Sequence, residues 1–135
     1  MRGENTKEKK TYVIDTSFVL AYLMPDEKEQ GVEEMFSRFE ENKINFVSPN
    51  LLLYETVNGL RSAVVQKRLS PQQAEILLDS FLNIGILFEK VDEKQVLGLA
   101  LNKSISAYDA SYVWLAKIKK LKLLTLDERL ESILK

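Results

Sequence analysis

Four acidic residues stand out by position: Asp15, Glu55, Asp109 and Asp127. The 135-residue chain has no histidine and no cysteine, which excludes imidazole bases, thiol nucleophiles and zinc sites of the Cys/His type. Any catalysis must therefore be carried by carboxylates. If the four acids converge on one pocket they cannot stay there unneutralised, because like charges raise each other's pKa and cost stability. A hard divalent cation resolves the conflict, and an all-oxygen donor set suits Mg²⁺ or Mn²⁺. Such clusters support activation of water and in-line attack at phosphorus.

Each acid also has a plainer structural reading. Asp15 ends one β-rich run and Asp127 directly follows another. Sites in parallel sheets lie outside the carboxyl ends of the strands, yet Asp is equally a favoured helix cap worth about 1 kcal/mol. A cap uses one carboxylate oxygen, so the two roles are compatible. Asp109 falls in the first turn of a helix that is apolar almost all round, where a carboxylate is costly unless paired or at a favourable dipole end. Its plainer reading is a capping-box-like Ser106-Ala107-Tyr108-Asp109. Glu55 shares a polar stripe with Asn58, Ser62 and Gln66, and its plainer reading is a solvated helix face.

The elements that must position these acids follow from the apolar pattern, which alternates short β-rich runs with longer helical ones. Strands are expected at 11–15, 45–48, 86–91 and 122–125, in a mostly parallel sheet covered on both faces. Helices are expected from Ser17 to about Met24, then from Pro25-Asp26 to about Asn42. Ser48-Pro49 reads as a cap opening a long helix to about Arg68, with Leu53, Val57, Leu60 and Val64 as its core stripe. Ser70-Pro71 opens the next, which Gly85 ends. Further helices are expected over 92–102, 107–120 and 127–134.

The 19 Lys plus Arg and 20 Asp plus Glu give a net charge of -1, which says nothing about partners because placement matters more than the sum. With 45% hydrophobic and 29% charged residues, the composition is that of a globular chain of single-domain size. Arg2, Lys7, Lys9 and Lys10 before an apolar stretch superficially resemble a signal peptide. Asp15 interrupts that stretch, and no run approaches the roughly 18 apolar residues needed to span a bilayer. The expectation is a cytoplasmic protein, with a flexible tail over residues 1–10 and one domain over 11–135.

Four short segments, taken in order, resemble a known family: Val13-Ile14-Asp15-Thr16-Ser17, Glu55-Thr56-Val57-Asn58, Ala107-Tyr108-Asp109-Ala110 with Tyr112, and Leu124-Thr125-Leu126-Asp127-Glu128-Arg129-Leu130. In that context they are similar to a PIN domain, and most similar to the VapC-type toxins of toxin–antitoxin pairs. The resemblance implies a three-layer α/β/α sandwich with a central mostly parallel sheet and a Mg²⁺- or Mn²⁺-dependent ribonuclease site. It places Asp15, Glu55, Asp109 and Asp127 on the family's acidic positions, Thr16 and Thr125 on supporting hydroxyl positions, and Asn58 on a polar position one helical turn after the glutamate. Asp15, Asp109 and Asp127 would then hold the metal, Glu55 would complete its shell and polarise the attacking water, and Thr16 or Thr125 would orient carboxylates. A small antitoxin and a homodimer are the partners it implies, the latter also suggested by apolar helices at 17–24 and 71–84.

Two other readings compete. One is a D-x-T/S-type phosphatase with Asp15 as covalent nucleophile, weakened because position 17 is Ser instead of a second aspartate. The other is a catalytically silent α/β interaction module whose acids are caps. For RNA contact the candidates are Arg61, Lys67 and Arg68 on the long helix and Lys117, Lys119, Lys120 and Lys122 near the end, although lysine runs on helices are mostly solvated surface. Tyr108, Tyr112 and Trp114 read as core packing.

Overall fold

The computed structural model describes residues 9–134, so the expected tail lies outside the described residues except for Lys9 and Lys10. The elements run β1 (Lys10–Ile14), α1 (Thr16–Leu23), α2 (Gln30–Glu40), β2 (Ile44–Pro49), α3 (Leu51–Val65), α4 (Pro71–Leu82), β3 (Leu87–Glu89), α5 (Glu93–Lys103), α6 (Ala107–Lys119), β4 (Lys122–Leu124) and α7 (Glu128–Leu134). The fold is α/β, and the four strands among the described residues are all parallel, in the order β3-β2-β1-β4.

Both faces of this sheet are covered. Successive strand residues point to opposite faces, and on β1 the neighbours Val13 and Ile14 are each fully buried. Buried on both sides over 12–14, the second half of β1 reads as an unbroken apolar run. An aromatic cluster joins α1 and α2 to the sheet, with Tyr22 stacked on Phe36 at 3.8 Å between ring centroids and Phe39 stacked on Phe46 at 4.6 Å. Tyr112, Val113, Leu115 and Ala116 of α6 belong to the same core.

The topology fixes where a site can form. From β1 the chain moves to β2 and β3 on one side, then crosses back to β4 on the other, so the switch point lies between β1 and β4. Crevices at such points, outside the carboxyl ends of the strands, are where parallel sheets bind ligands. Asp15 leaves β1 there, and Thr125 and Asp127 leave β4 beside it.

Several local expectations need correction. Strand β2 continues through Ser48 and Pro49, because Pro49 pairs in register with Glu89 and the buried Ser48 hydroxyl donates to the Ile14 carbonyl at 2.9 Å. Asn50 takes the N-cap position of α3 instead. The buried stripe of α3 is Leu52, Thr56, Leu60 and Ala63, and Val57 is exposed. That one-residue rotation turns Glu55 toward α1 and α6. Helix α2 begins only at Gln30, because Asp26 and Glu27 are held outside it by Arg68. Where α1 meets α3, a Cβ at Gly59 would stand 2.6 Å from the Leu20 side chain, which would have to shift to admit it.

Candidate active site

Asp15 is buried at the end of β1 and caps α1, its Oδ1 accepting the Phe18 N–H at 3.1 Å and the Ser17 hydroxyl at 2.7 Å. The Thr125 hydroxyl donates to Oδ2. Burial pushes the Asp15 carboxyl up, these donors pull against it, and the Asp127 charge adds a smaller push. The capping reading of Asp15 holds, and the cap leaves Oδ2 to other partners. Thr125 Oγ1 also accepts the Asp127 N–H at 3.0 Å, and Ser17 Oγ accepts the Leu126 N–H at 2.9 Å. Two hydroxyls thus stitch the loop after β4 to the start of α1. Sequence reading named Thr16 or Thr125 as the hydroxyls that orient carboxylates and missed Ser17, although the D-T-S run already contained the signal.

Glu55 is half-buried on α3. Its Oε1 accepts the Thr16 hydroxyl at 2.7 Å and the Tyr112 hydroxyl at 2.6 Å. Each hydroxyl has one hydrogen, and both go to the same oxygen, which fixes the rotation of the carboxylate. Burial and the Glu55 hydrogen bond push the Tyr112 phenol far up, so it remains a donor. Tyr112 is core, as expected, and also supports the site. Trp114 is half-buried, with Nε1 donating to Gln95 at 2.7 Å. Tyr108 is a correction: at 62% exposed it is not core, because it faces the open groove beside Glu55 instead of the sheet.

Asp109 does not cap α6. Ser106 does, its hydroxyl accepting the Asp109 N–H at 3.0 Å, and the carboxylate of Asp109 takes Arg129 Nη2 at 2.8 Å. The same nitrogen lies 3.1 Å from Asp127 Oδ2, while the Arg129 N–H donates to Asp127 Oδ1 at 3.0 Å. This guanidinium holds the Asp127 carboxyl below its ordinary range. Arg129 is a site residue the sequence reading missed, although it stood inside the quoted Leu124-to-Leu130 segment.

Asp15, Glu55, Asp109 and Asp127 all line one cavity of about 130 Å³, with Thr16, Ser17, Tyr112 and Leu130. Asn58 is outside it, in an adjoining groove of about 360 Å³ that shares Thr16 and Glu55 and is flanked by the exposed Tyr54 and Tyr108. The cationic candidates do not line the cavity. Arg68 is engaged with Asp26 at 2.9 Å and with Glu27, and Lys119 with Glu89 at 2.9 Å. Lys117, Lys119 and Lys120 sit at the opposite end of α6 from Asp109.

A PIN domain profile matches residues 12–134. The chain belongs to the PIN domain family. It is 30% identical over 122 residues to Ribonuclease VapC3 of Pyrobaculum aerophilum, an alignment that covers 87% of this chain and 90% of that one. The crystal structure of PAE2754 from Pyrobaculum aerophilum superposes with a TM-score of 0.74 at 21% identity, covering 91% of this chain and 84% of the other. For this PIN domain that likeness shows the fold. The four acids that the cavity gathers are those the family resemblance selects.

The donor set fits a hard cation, being carboxylate and hydroxyl oxygen throughout. Among the described residues, no three acidic side chains stand close enough to share an ion as they lie, since Asp109 and Asp127 are both turned to Arg129. No helix among the described residues is long and apolar enough to cross a membrane.

Proposed function

We propose that this PIN domain is a Mg²⁺- or Mn²⁺-dependent endoribonuclease, the toxin of a VapBC-like pair, acting in the cytoplasm. One observation carries the reading: four carboxylates from four separate segments of the chain line a single cavity at the switch point of a parallel sheet. The name of the Pyrobaculum aerophilum relative, a ribonuclease, supports RNA as the substrate.

Asp15, Asp109 and Asp127 would hold the divalent ion, with Glu55 completing its surroundings. When bound, the ion neutralises the carboxylates, lowers the pKa of water and stabilises charge developing on the phosphate. The chain's own residues do the rest. Thr16 and Tyr112 fix Glu55 so that its carboxylate accepts the proton of the attacking water. Thr125 and Ser17 fix Asp15 and keep the loop carrying Asp127 at the cavity wall. Water oxygen bonds to phosphorus as the bond to the leaving nucleoside oxygen breaks. The groove beside Glu55, with Tyr54, Asn58 and Tyr108, suits an unstacked base next to the scissile phosphate.

A small antitoxin and a second copy of the chain are the protein partners of this reading. Helix α1 does not call for the second copy, since its apolar residues Phe18, Val19, Ala21 and Leu23 fill the protomer's own core. The candidates for that contact are Val65 of α3 and Ile76 and Leu82 of α4, all exposed. The phosphatase alternative is not supported, because Ser17 is spent as a donor to Asp15 and supplies no acid. RNA-cleavage mapping of the wild-type protein in Mn²⁺ and in EDTA tests the proposal. Cleavage at defined positions that EDTA abolishes is expected; cleavage that is indifferent to EDTA, or no cleavage of any RNA offered, overturns it.

A further inference from the structure

Arg129 does not itself line the acidic cavity, but its side chain reaches two of the cavity's acids. Arg129 Nη2 is 2.8 Å from Asp109 Oδ2 and 3.1 Å from Asp127 Oδ2, so a single nitrogen bridges an oxygen from α6 and an oxygen from the loop before α7. Magnesium–oxygen bonds are about 2.0–2.1 Å long and demand near-octahedral placement. An ion cannot take these two oxygens while the guanidinium remains between them. The Arg129 side chain is also poised to leave: it is 58% exposed, against 30% for Asp109 and 36% for Asp127. Its backbone hydrogen bond to Asp127 Oδ1 comes from the N–H, not the side chain, so rotation of the guanidinium leaves the start of α7 intact.

We propose that Arg129 is the resident counterion of the acidic cavity, joining Asp109 to Asp127 until a divalent cation replaces it and swinging out toward solvent as the metal loads. The inference rests on the metal-dependent reading above and names a positioning residue for that site. It explains why one guanidinium nitrogen engages both Asp109 and Asp127 as they lie. It also implies that metal affinity is set partly by the chain itself. Every loading event must break two partly exposed ion pairs, which together are worth about a tenfold change in an equilibrium constant. Once released, the guanidinium stands at the rim of the cavity with its donors free, where an RNA phosphate would pass.

Calorimetric titration of the metal-free full chain with Mn²⁺ tests this on wild type, Arg129→Met, Arg129→Gln and Arg38→Met. Arg38 lies on α2 outside the cavity, so its variant removes the same charge from the molecule without touching the acids. Mn²⁺ should bind both Arg129 variants about tenfold more tightly than wild type and Arg38→Met. In parallel, the Arg129 Nε–H signal in an NMR titration with Mg²⁺ should move and saturate with the metal. If wild type binds Mn²⁺ but the Arg129 variants bind it equally or more weakly, or if the Nε–H signal stays in place, Arg129 is not a displaced counterion, and the metal-dependent reading survives. If no protein in the series binds Mn²⁺, both the counterion and the metal-dependent reading fall.

Discussion

The Tyr112 hydroxyl donates to Glu55 Oε1 at 2.6 Å, and this contact joins α6 to α3 at the wall of the acidic cavity. Removing it leaves Thr16 as the remaining donor to the same oxygen, at 2.7 Å. Tyr112→Phe should therefore lower stability by about 1.5–3 kcal/mol, the range for a hydrogen bond to a charged group. Cleavage should weaken without vanishing, since Glu55 stays but rotates more freely. Urea denaturation and single-turnover cleavage on the same sample check both statements. Unchanged turnover would reduce Tyr112 to a core residue.

Asp109→Asn separates the site role from the structural one. The cap of α6 belongs to Ser106, so the substitution leaves it intact and removes only a partly exposed pair with Arg129. Metal-free stability should fall by less than about 1 kcal/mol. Mg²⁺ at 100 times its dissociation constant should stabilise wild type by about 2.7 kcal/mol and the variant by far less, with cleavage at background. Thermal melts in EDTA and in Mg²⁺ decide it, and a variant that keeps wild-type metal stabilisation removes Asp109 from the site.

How much of this was legible beforehand depends on what each residue's role requires. Asp15 and Asp127 were readable because strand ends and helix starts leave a local signature in sequence. The order of the strands was not, since which strand pairs with β1 depends on register between segments far apart in the chain. Leu60 of the α3 stripe was placed correctly, and the other positions fell one residue late because Leu51, Leu52 and Leu53 are all apolar and periodicity cannot choose among them without knowing the neighbour. Ser17 and Arg129 were missed for a related reason. Their value lies in contacts across 108 and 20 positions of sequence, to Thr125 and Asp109, and neither residue type is distinctive by itself.

Acidity should affect the carboxylates in opposite directions. Burial raises the Asp15 pKa in the folded state, so the native protein binds a proton there more readily than the unfolded chain. Its contribution to stability therefore falls as pH rises from the unfolded value through the higher folded one. Asp127, lowered by Arg129, contributes stability that is present above the unfolded carboxylate range and disappears as pH falls through its folded value. Asp15→Asn isolates the first of these. In EDTA the variant should be more stable than wild type near pH 7, and the difference should shrink at an acid pH, as wild-type Asp15 takes up its proton. Urea midpoints at the two pH values test the sign; a difference that grows on acidification would be the contrary result.

The groove beside the cavity gives a separate handle on RNA. Tyr54 is 77% exposed and Tyr108 62%, and together with Asn58 they border Glu55. A base stacked on one aromatic ring is worth about 1–3 kcal/mol. Tyr108→Ala should accordingly weaken binding of a short single-stranded RNA by roughly fivefold or more, and leave Mn²⁺ affinity unchanged. Fluorescence anisotropy in EDTA measures the first and calorimetry the second. An equal weakening of both would show instead that the substitution disturbs Asp109, one residue away.

For the lysines at the end of α6, the fold makes any role in RNA binding depend on the length of the RNA. Lys117 follows Asp109 on one continuous helix, and eight residues at about 1.5 Å each put them roughly 12 Å apart along the axis. A stacked strand advances about 3.4 Å per nucleotide, so a dinucleotide held at the acids cannot reach Lys117, whereas a longer RNA running along α6 can. Replacing Lys117, Lys119 and Lys120 together should leave dinucleotide binding and its salt dependence as they are. With a 20-nucleotide single strand, binding should weaken and the slope of log K against log salt should shrink in magnitude by about 1–2, at about 0.7 for each phosphate no longer neutralised. The upper end requires Lys119 to exchange Glu89, now 2.9 Å away, for a phosphate. An unchanged slope with the long strand would return all three lysines to solvated surface. A reduced slope with the dinucleotide would mean that bound RNA does not lie at the acids at all, since nothing that short can touch both ends of the helix.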